Sequence, residues 1–228
     1  MLMTEIRSTP AFDRTRLQSR GWAEFNLTET TEQHLRERLI TFAAQFGTPV
    51  ATRAGGDICE TLKPTETRFA QTHSLSKIHS LGEFPLHVDT AHWLTPCRFL
   101  ILACLSPGSG HRQTTLLDTN SLPLSHEQTS LLRSAPLRIA NGRNSFFSTI
   151  LAKHRPFVRF DTGCMTPVTP NGEQALDVFS INHWTNYVEA IDWHEGKVAI
   201  IDNWRILHGR GRADRLDDDR TLLRISIR

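Results

Sequence analysis

Short apolar segments alternate with turn residues along most of the chain, and this pattern predicts many β-strands and few helices. The longest strongly apolar run extends from residue 99 to residue 105. Other short segments are rich in β-branched or aromatic residues and end at turn residues, which is typical of strands. The predicted strands cover residues 21–27, 98–105, 114–118, 137–140, 157–160, 198–201 and 222–227.

Three segments are candidates for helices. Apolar side chains recur every three or four positions in residues 30–46, and Thr30 and Gln33 have the spacing of a capping box, so this segment predicts an amphipathic helix. Residues 125–133 predict a shorter helix that its first residue, a serine, can cap. Residues 182–193 fit either a helix or a strand, and a helix is favoured.

Residues 50–80 are polar, contain Gly55-Gly56 and Lys63-Pro64, and predict strands joined by loops. Many short strands and few helices favour a β sandwich or barrel with helices packed outside. No change in composition marks a linker, and a length of 228 residues fits one domain, 1–228.

The composition is that of an ordinary globular protein, with 22% charged residues, 39% hydrophobic residues and a net charge of +2. Near-neutral charge argues against a nucleic-acid partner. No apolar run is long enough for a membrane span, and the first residues lack a signal pattern. The four cysteines form no Cys-x-x-Cys pair, so free thiols are expected. We expect a cytoplasmic protein that acts on a small molecule; the sequence leaves a homo-oligomer open.

Candidate chemistry begins at residues 84–89. In an extended chain, residues i and i+2 face the same side, so His87 and Asp89 would present an imidazole and a carboxylate side by side. His208 follows an apolar strand and a polar turn near the end of the chain. Each pattern is weak alone, but two histidines and one carboxylate make the facial triad of non-haem iron(II) oxygenases, which leaves coordination positions open.

Two arginines near the end of the chain form the second pattern. In a strand, Arg220 and Arg224 would share one face with Leu222, while Leu223 and Ile225 would point to the other. A buried arginine is costly without an anion, and its guanidinium can bind a carboxylate with two hydrogen bonds. The alternative is a solvated edge strand in which Arg220 pairs with Asp217, Asp218 or Asp219.

These motifs, in this order, resemble the TauD/TfdA (taurine dioxygenase-like, clavaminate synthase-like) family of Fe(II)/2-oxoglutarate-dependent oxygenases. His87-Val88-Asp89 is followed by Thr114, in a segment similar to the family's Gly-Gly-x-Thr strand. Residues 202–210 are similar to the family's Asp-Asn-x-x-x-x-His-x-Arg segment, which is the most specific piece. Arg220-x-x-x-Arg224 is similar to the closing Arg-x-x-x-Arg. The resemblance covers roughly residues 30–228.

The resemblance implies a mainly β fold with flanking helices, a distorted double-stranded β-helix or jelly roll. It implies that His87, Asp89 and His208 are catalytic and bind Fe(II). It also implies that the far carboxylate of 2-oxoglutarate meets Arg220 and the hydroxyl of Thr114. Thr115 is the alternative to Thr114, because the glycine pair before it is incomplete. Arg224 would assist, or would reach an acidic group of the substrate.

The reaction implied by the resemblance consumes 2-oxoglutarate and O2 and releases succinate and CO2. It would hydroxylate an unactivated C–H bond of a small polar molecule, such as an amino acid or a natural-product intermediate, with desaturation or cyclisation as alternatives. Related halogenases have a small residue in place of the carboxylate, so Asp89 argues against halogenation. The candidate substrate contacts are His92 and Trp93 beside the triad, Arg143 on a loop, Arg159 facing inward to bind an anion, and Lys77 with His79 in a lid.

Two other classes of protein fit part of the pattern. A zinc-dependent hydrolase can use the same three ligands, but it does not need Thr114 or the two arginines, and no His-Glu-x-x-His motif is present. A non-catalytic sensor on a jelly-roll scaffold would bind a small acid without iron, and the intact triad argues against it.

Overall fold

The computed structural model describes residues 12–28, 31–72, 74–152, 154–215, 217 and 219–228. The helices within these residues are α1 (Arg14–Arg20), α2 (Glu32–Ala43), α3 (Leu75–His79), α4 (His126–Ser134) and α5 (Pro170–Asp177). The strands are β1 (Trp22–Asn26), β2 (Pro49–Val50), β3 (Cys59–Leu62), β4 (Phe84–His87), β5 (Phe99–Ser106), β6 (Thr114–Asp118), β7 (Leu137–Asn141), β8 (Asn144–Ser148), β9 (Met165–Pro167), β10 (Val188–Ile191), β11 (Lys197–Asp202), β12 (Ile206–Arg210) and β13 (Thr221–Ile227).

The strands form three antiparallel sheets. The large sheet has the order β1-β11-β5-β13-β2, and β3 also pairs with β13. The second sheet has the order β10-β6-β12-β4, and the third has the order β8-β7-β9. The predicted fold class, mainly β with flanking helices, is confirmed at this level.

The large and second sheets face each other across a shared apolar cluster. Leu100 and Leu102 of β5 pack there with Leu116 of β6 and Ile206 of β12. Helix α2 covers the outer face of the large sheet. The outer face of the second sheet packs against α4, α5 and the third sheet. Side chains of alternate residues on the inner strands therefore point into the space between the two sheets.

Strand β13 shows how this alternation places the arginines. Leu223 and Ile225 pack under α2, whereas Leu222 and Arg224 line a cavity between the sheets. The predicted division of faces is therefore correct. The strand pairs with β5 on one side and with β2 and β3 on the other, so the alternative of an edge strand is wrong.

Several local predictions match the structure. The strand predicted over residues 114–118 is β6, and α4 begins after Ser125, which forms a capping box with Gln128. Helix α2 is present, but Thr31 is its cap and accepts a hydrogen bond from the His34 amide. Thr30, predicted as the cap, lies outside the described residues.

Other predictions were wrong or incomplete. Residues 182–193 form short 3₁₀ turns followed by β10 rather than the favoured helix, because β10 pairs with β6 at the edge of the second sheet. Residues 157–160 are extended, but they make one isolated bridge, between Val158 and Leu151, instead of a strand. Helices α1 and α5 and strands β8 and β9 were not predicted from the sequence, and neither was α3, which lies in residues 50–80, where strands joined by loops were expected.

The four cysteines are free, as predicted. Three of them are buried and Cys164 is partly buried. In the part of the chain that the structure describes, none of the helices has the length and apolar character that a membrane crossing requires.

Candidate active site

Two strands of the second sheet bring the candidate histidines together. Strand β12 pairs with β4 so that His208 and His87 are direct cross-strand partners. Their ring centroids are 4.5 Å apart. Leu86 and Leu207 point to the opposite face of the sheet and pack in the core there. The alternation of each strand therefore turns both imidazoles toward the space between the sheets.

Asp89 completes the cluster. Its Oδ1 is 3.5 Å from Nε2 of His87 and 3.6 Å from Nε2 of His208. All three side chains are buried, and their ligand atoms lie within 4.8 Å of one another. Such spacings fit three ligands that each bind a common metal ion at about 2.0–2.2 Å. Among the described residues, no other group of histidine, cysteine, aspartate and glutamate side chains has this arrangement.

Hydrogen bonds fix the orientation of these side chains. Nδ1 of His87 donates to the carbonyl of Pro85 at 2.9 Å, which leaves the Nε2 lone pair for a metal. Nδ1 of His208 is buried without a hydrogen-bond partner among the described residues. The amide of Asn203 accepts from the Asp89 N–H at 2.8 Å and donates to the Asp89 carbonyl at 3.1 Å. Asn203 thus holds the backbone of the candidate carboxylate ligand.

The charges of the cluster suit a cation. Burial alone would raise the pKa of Asp89, but Arg224 and the two histidines outweigh burial and hold this pKa well below its usual value. Burial and the neighbouring His87 lower the pKa of His208. Although burial disfavours the charged imidazole of His87, its interaction with Asp89 raises the pKa of His87. The site offers a negative carboxylate and two imidazoles, which bind a metal ion in their neutral form.

Arg224 lies against two carboxylates. Its Nη1 donates to Oδ2 of Asp89 at 3.0 Å, and its Nη2 donates to Glu60, its cross-strand partner on β3. The Asp89 oxygen that contacts Arg224 is the one that faces away from the histidines. From the sequence, this guanidinium was expected to meet the co-substrate or an acidic substrate group. The structure instead commits it to Asp89 and Glu60.

Arg220 has the opposite environment. It is buried, its Nε has no hydrogen-bond partner, and its guanidinium makes no ion pair with a described residue. The predicted alternative, a pair with Asp217 or Asp219, is absent because Asp217 pairs with Arg112 at 2.8 Å. Asp218 lies outside the described residues.

Arg112, Arg210 and Arg220 form a positive cluster. Burial, together with Arg112 and Arg220, lowers the pKa of Arg210 to about 9. Burial and Arg112 lower the pKa of Arg220 to about 10. Arg112 and Arg210 both donate to the carbonyl of Gly82, so neutral groups satisfy part of the cluster. The Arg220 guanidinium has no such partner among the described residues, and a carboxylate is the group that would bind it.

Thr114 supplies a hydroxyl to the same cavity. Its Oγ1 accepts a hydrogen bond from Nε1 of Trp193 at 3.0 Å, which leaves the threonine O–H free to donate. Thr114 is buried and lines the cavity with Arg220. Thr115, the alternative from sequence, pairs with Gly209 across the sheet and does not line the cavity.

The cavity between the sheets has a volume of about 410 Å³ and contains all three candidate metal ligands in its wall. Leu100, Leu102 and Leu222 supply apolar wall on the side of the large sheet. The rest of the wall mixes apolar side chains, such as Leu75 and Phe84, with polar ones, and of the candidate substrate residues His92 is among the latter. Burial lowers the pKa of His92, which favours its neutral form.

The other candidate substrate residues lie elsewhere. Trp93 faces a separate surface pocket and stacks on Arg228, and Arg143 is exposed in the turn between β7 and β8. Lys77 is exposed and donates to the Thr67 carbonyl, and the His79 ring packs beside Phe84. Helix α3 does form part of the cavity wall, but through Leu75 and Ser76.

Arg159 requires a correction. Its guanidinium donates to the backbone carbonyls of Ala91, Trp93 and Leu94, so it holds the loop that follows Asp89 instead of binding an anion in the cavity. The side chain is 2% exposed, and the carbonyls accept from its two Nη groups, while its Nε has no hydrogen-bond partner among the described residues.

Sequence reasoning missed several residues of the site. Asn203 lies in the recognised Asp-Asn motif, and that spacing was the available indication of its role. Glu60, Trp193 and Asp161 belong to no motif and enter the site through strand pairing and loop packing.

The comparisons with known proteins agree with this geometry. The family model described as "Taurine catabolism dioxygenase TauD, TfdA family" matches residues 125–226. That segment includes His208, Arg220 and Arg224. No curated protein sequence matches the chain.

Solved structures share the fold over nearly the whole chain. Asparagine oxygenase in complex with Fe(II), 2S,3S-3-hydroxyasparagine and succinate has a TM-score of 0.73 and 18% identity, covering 93% of this chain and 76% of that one. Non-haem iron oxygenase OrfP with Fe and alpha-ketoglutaric acid has a TM-score of 0.70 and 19% identity, with the same coverage. OrfP with Fe, succinate and (3S)-hydroxy-L-Arg has a TM-score of 0.69 and 19% identity, covering 94% and 77%.

The fold is shared with solved non-haem iron oxygenases, and residues 125–226 match the model of the TauD/TfdA family. The match of the family model, together with the shared fold, confirms the predicted resemblance to the TauD/TfdA family.

Proposed function

We propose that this protein is an Fe(II)- and 2-oxoglutarate-dependent dioxygenase that hydroxylates a C–H bond of a small polar molecule, most simply an amino acid. The observation that carries the proposal is the convergence of two imidazole Nε2 atoms on one oxygen of Asp89, at 3.5 and 3.6 Å, in a cavity shared with the unpaired Arg220. In this proposal the two facing sheets are a distorted double-stranded β-helix, or jelly roll, within one domain.

His87, Asp89 and His208 would hold Fe(II). The donor set of two imidazoles and one carboxylate suits this ion and leaves coordination positions for other ligands. The hydrogen bond from His87 to Pro85 and the clamp of Asn203 on Asp89 would keep the ligands in place. Arg224 would hold the second Asp89 oxygen, so that Asp89 binds the metal through Oδ1 alone.

Arg220 and Thr114 would bind the far carboxylate of 2-oxoglutarate. The support is a buried guanidinium whose Nε has no partner and a hydroxyl with its hydrogen free. A carboxylate here would offset the positive charge that Arg112 and Arg210 add nearby.

The iron, with 2-oxoglutarate and O2, supplies the oxidation that inserts oxygen into the C–H bond and yields succinate and CO2. The protein fixes the positions of the ligands and keeps the reaction away from bulk water. Leu100, Leu102 and Leu222 provide the dry wall on one side of the cavity. The rest of the wall includes many polar side chains, which suits a small polar substrate, as do the hydroxyasparagine and hydroxyarginine complexes of the matched structures.

The test is anaerobic addition of Fe(II) and 2-oxoglutarate to the metal-free protein. A weak visible charge-transfer band should form, and it should be lost in Asp89→Ala. In Arg220→Ala the band should require roughly 10- to 100-fold more 2-oxoglutarate, because charge-assisted hydrogen bonds contribute about 1.5–3 kcal/mol. Arg143→Ala, on an exposed turn, is the matched control and should titrate like the wild type.

Circular dichroism establishes that each variant is folded. A folded wild type that gives no band and releases no succinate with any amino acid would exclude the oxygenase. A band that persists in Asp89→Ala would show that the ligand assignment is wrong.

A further inference from the structure

Two carboxylates of the described residues line the cavity, and they differ in their partners. Asp89 pairs with Arg224 and lies beside both candidate metal ligands on the sheet. Asp161 makes no ion pair with any described residue. Its Oδ1 accepts from the Gly163 amide at 2.8 Å, and the Cys164 thiol is also close. Neither group is positively charged, so among the described residues Asp161 has no counterion paired with it.

Backbone pairing places Asp161 beside the candidate metal site. The Val88 amide, between two candidate ligands, donates to the Phe160 carbonyl at 2.7 Å. Val88 and Phe160 pack together in the core behind the sheet. Asp161, the next residue, turns to the cavity side, where it acts electrostatically on His87 and His92.

Several cations lie around the cavity, and none of those described, Arg53, Lys63 and Arg210 included, forms an ion pair with Asp161. Arg224 is held by Asp89 and Glu60, and Arg159 is held by backbone carbonyls outside the cavity. Arg220, on the opposite sheet, is the proposed partner of 2-oxoglutarate. A half-buried carboxylate without a counterion is costly, and a cationic ligand group removes that cost.

From this charge distribution we propose that Asp161 binds a positively charged group of the substrate, a protonated amine or a guanidinium. The inference rests on the proposed function and narrows its substrate class to cations and zwitterions. It reverses the expectation from sequence, in which Arg159 of the same segment would bind an anionic group.

Matched pairs of compounds test the charge preference without turnover. Each pair differs in one positive group: L-arginine with L-citrulline, L-lysine with L-norleucine, and L-leucine with 2-hydroxy-4-methylpentanoate. Binding to the anaerobic protein with Fe(II) and 2-oxoglutarate is measured by calorimetry and by perturbation of the visible band. We expect the cationic member of at least one pair to bind at least about tenfold more tightly than its neutral partner.

The variant Asp161→Asn keeps the acceptor for Gly163 and removes the charge. It should reduce the preference to within about twofold, and Asp177→Asn, on the exposed surface of α5, should leave it unchanged. If Asp161→Asn does not fold, binding of the compound pairs to the wild-type protein still tests the proposal. Two results would show that Asp161 does not bind a cationic group: every cationic compound binds no more tightly than its neutral partner, or folded Asp161→Asn keeps the preference of the wild type. If the visible band with 2-oxoglutarate still forms, the proposed oxygenase is unaffected by either result. Absence of the band in the wild type would refute the oxygenase and, with it, the subsite.

Discussion

Arg159 and Asp161 stand two positions apart, yet they serve different parts of the molecule. The guanidinium of Arg159 reaches carbonyls of the loop after Asp89, and the carboxylate of Asp161 faces the cavity. The sequence pattern of the segment does not distinguish these roles, because both residues could lie on the inward face of an extended chain. Packing against the neighbouring segments of the chain determines which of the two charged side chains lines the cavity.

Asn203 shows how a neutral residue can matter as much as a charged one. Its side chain is fully buried and makes hydrogen bonds to the backbone of Asp89 and to the Cys97 carbonyl at 2.7 Å. It joins the turn before β12 to the loop that carries the candidate carboxylate ligand. The free energy of unfolding and the metal affinity therefore depend on the same amide.

We predict that Asn203→Ala lowers the free energy of unfolding by about 2–4 kcal/mol, because it leaves several buried backbone groups without partners. Metal affinity should fall as well, since Asp89 loses its clamp. Urea unfolding and anaerobic metal titration measure the two effects. Asn120→Ala, at an exposed position whose side chain makes no hydrogen bond to a described residue, is the control. Equal stability of the two variants would contradict the prediction.

At the scale of elements, the pairing of β4 with β12 builds the histidine pair. The register of the two strands shifts between His208 and Arg210, and Gly209 lies between these residues. A Cβ at Gly209 would lie 2.8 Å from the Phe84 carbonyl and 2.8 Å from Oγ1 of Thr115. The glycine therefore lets β12 lie between β4 and β6 with His208 in place.

We expect Gly209→Ala to push β12 away from its neighbours, with a loss of about 1–3 kcal/mol in the free energy of unfolding. The displacement of His208 should also weaken Co(II) binding on the order of tenfold, as a disturbed ligand orientation does. Thermal unfolding and Co(II) titration provide the measurements. Gly56→Ala is the comparison, since its nearest neighbour would be 3.3 Å away. Unchanged Co(II) affinity in Gly209→Ala would show that β12 tolerates the added methyl group.

At the scale of the whole molecule, the cavity lies between the two main sheets and is lined by residues of both. The candidate metal ligands belong to the second sheet and the loop after it, whereas Arg224 belongs to the large sheet and Arg220 directly precedes β13 in that sheet. The buried Arg220 forms no ion pair with any described residue. Ligands that bridge the sheets should therefore stabilise the entire fold.

We predict that metal and 2-oxoglutarate each raise the melting temperature. A ligand at 100 times its dissociation constant adds about 2.7 kcal/mol, which corresponds to roughly 5–10 °C for a chain of this size. Anaerobic scanning fluorimetry with Fe(II), then with Fe(II) and 2-oxoglutarate, measures both steps. In Arg220→Ala, Fe(II) should still raise the melting temperature, but 2-oxoglutarate should add little further increase. If 2-oxoglutarate stabilises that variant as much as the wild type, Arg220 does not bind 2-oxoglutarate.

The sequence alone determined the periodic features of this protein. Alternation placed His87 with Asp89 and Arg220 with Arg224 on shared faces, because the side-chain period of a strand is a local property of the backbone. The apolar run of β5, the strand β6 and the capped helix α4 followed from the same kind of local rule.

Only the tertiary structure determined which charged side chains come into contact. The pairing of β3 with β13 set Glu60 against Arg224, the pairing of β6 with β10 overrode the helix favoured over residues 182–193, and loop packing separated Arg159 from Asp161. These outcomes depend on contacts between residues far apart along the chain, and the local periodicity of a sequence carries no information about such contacts.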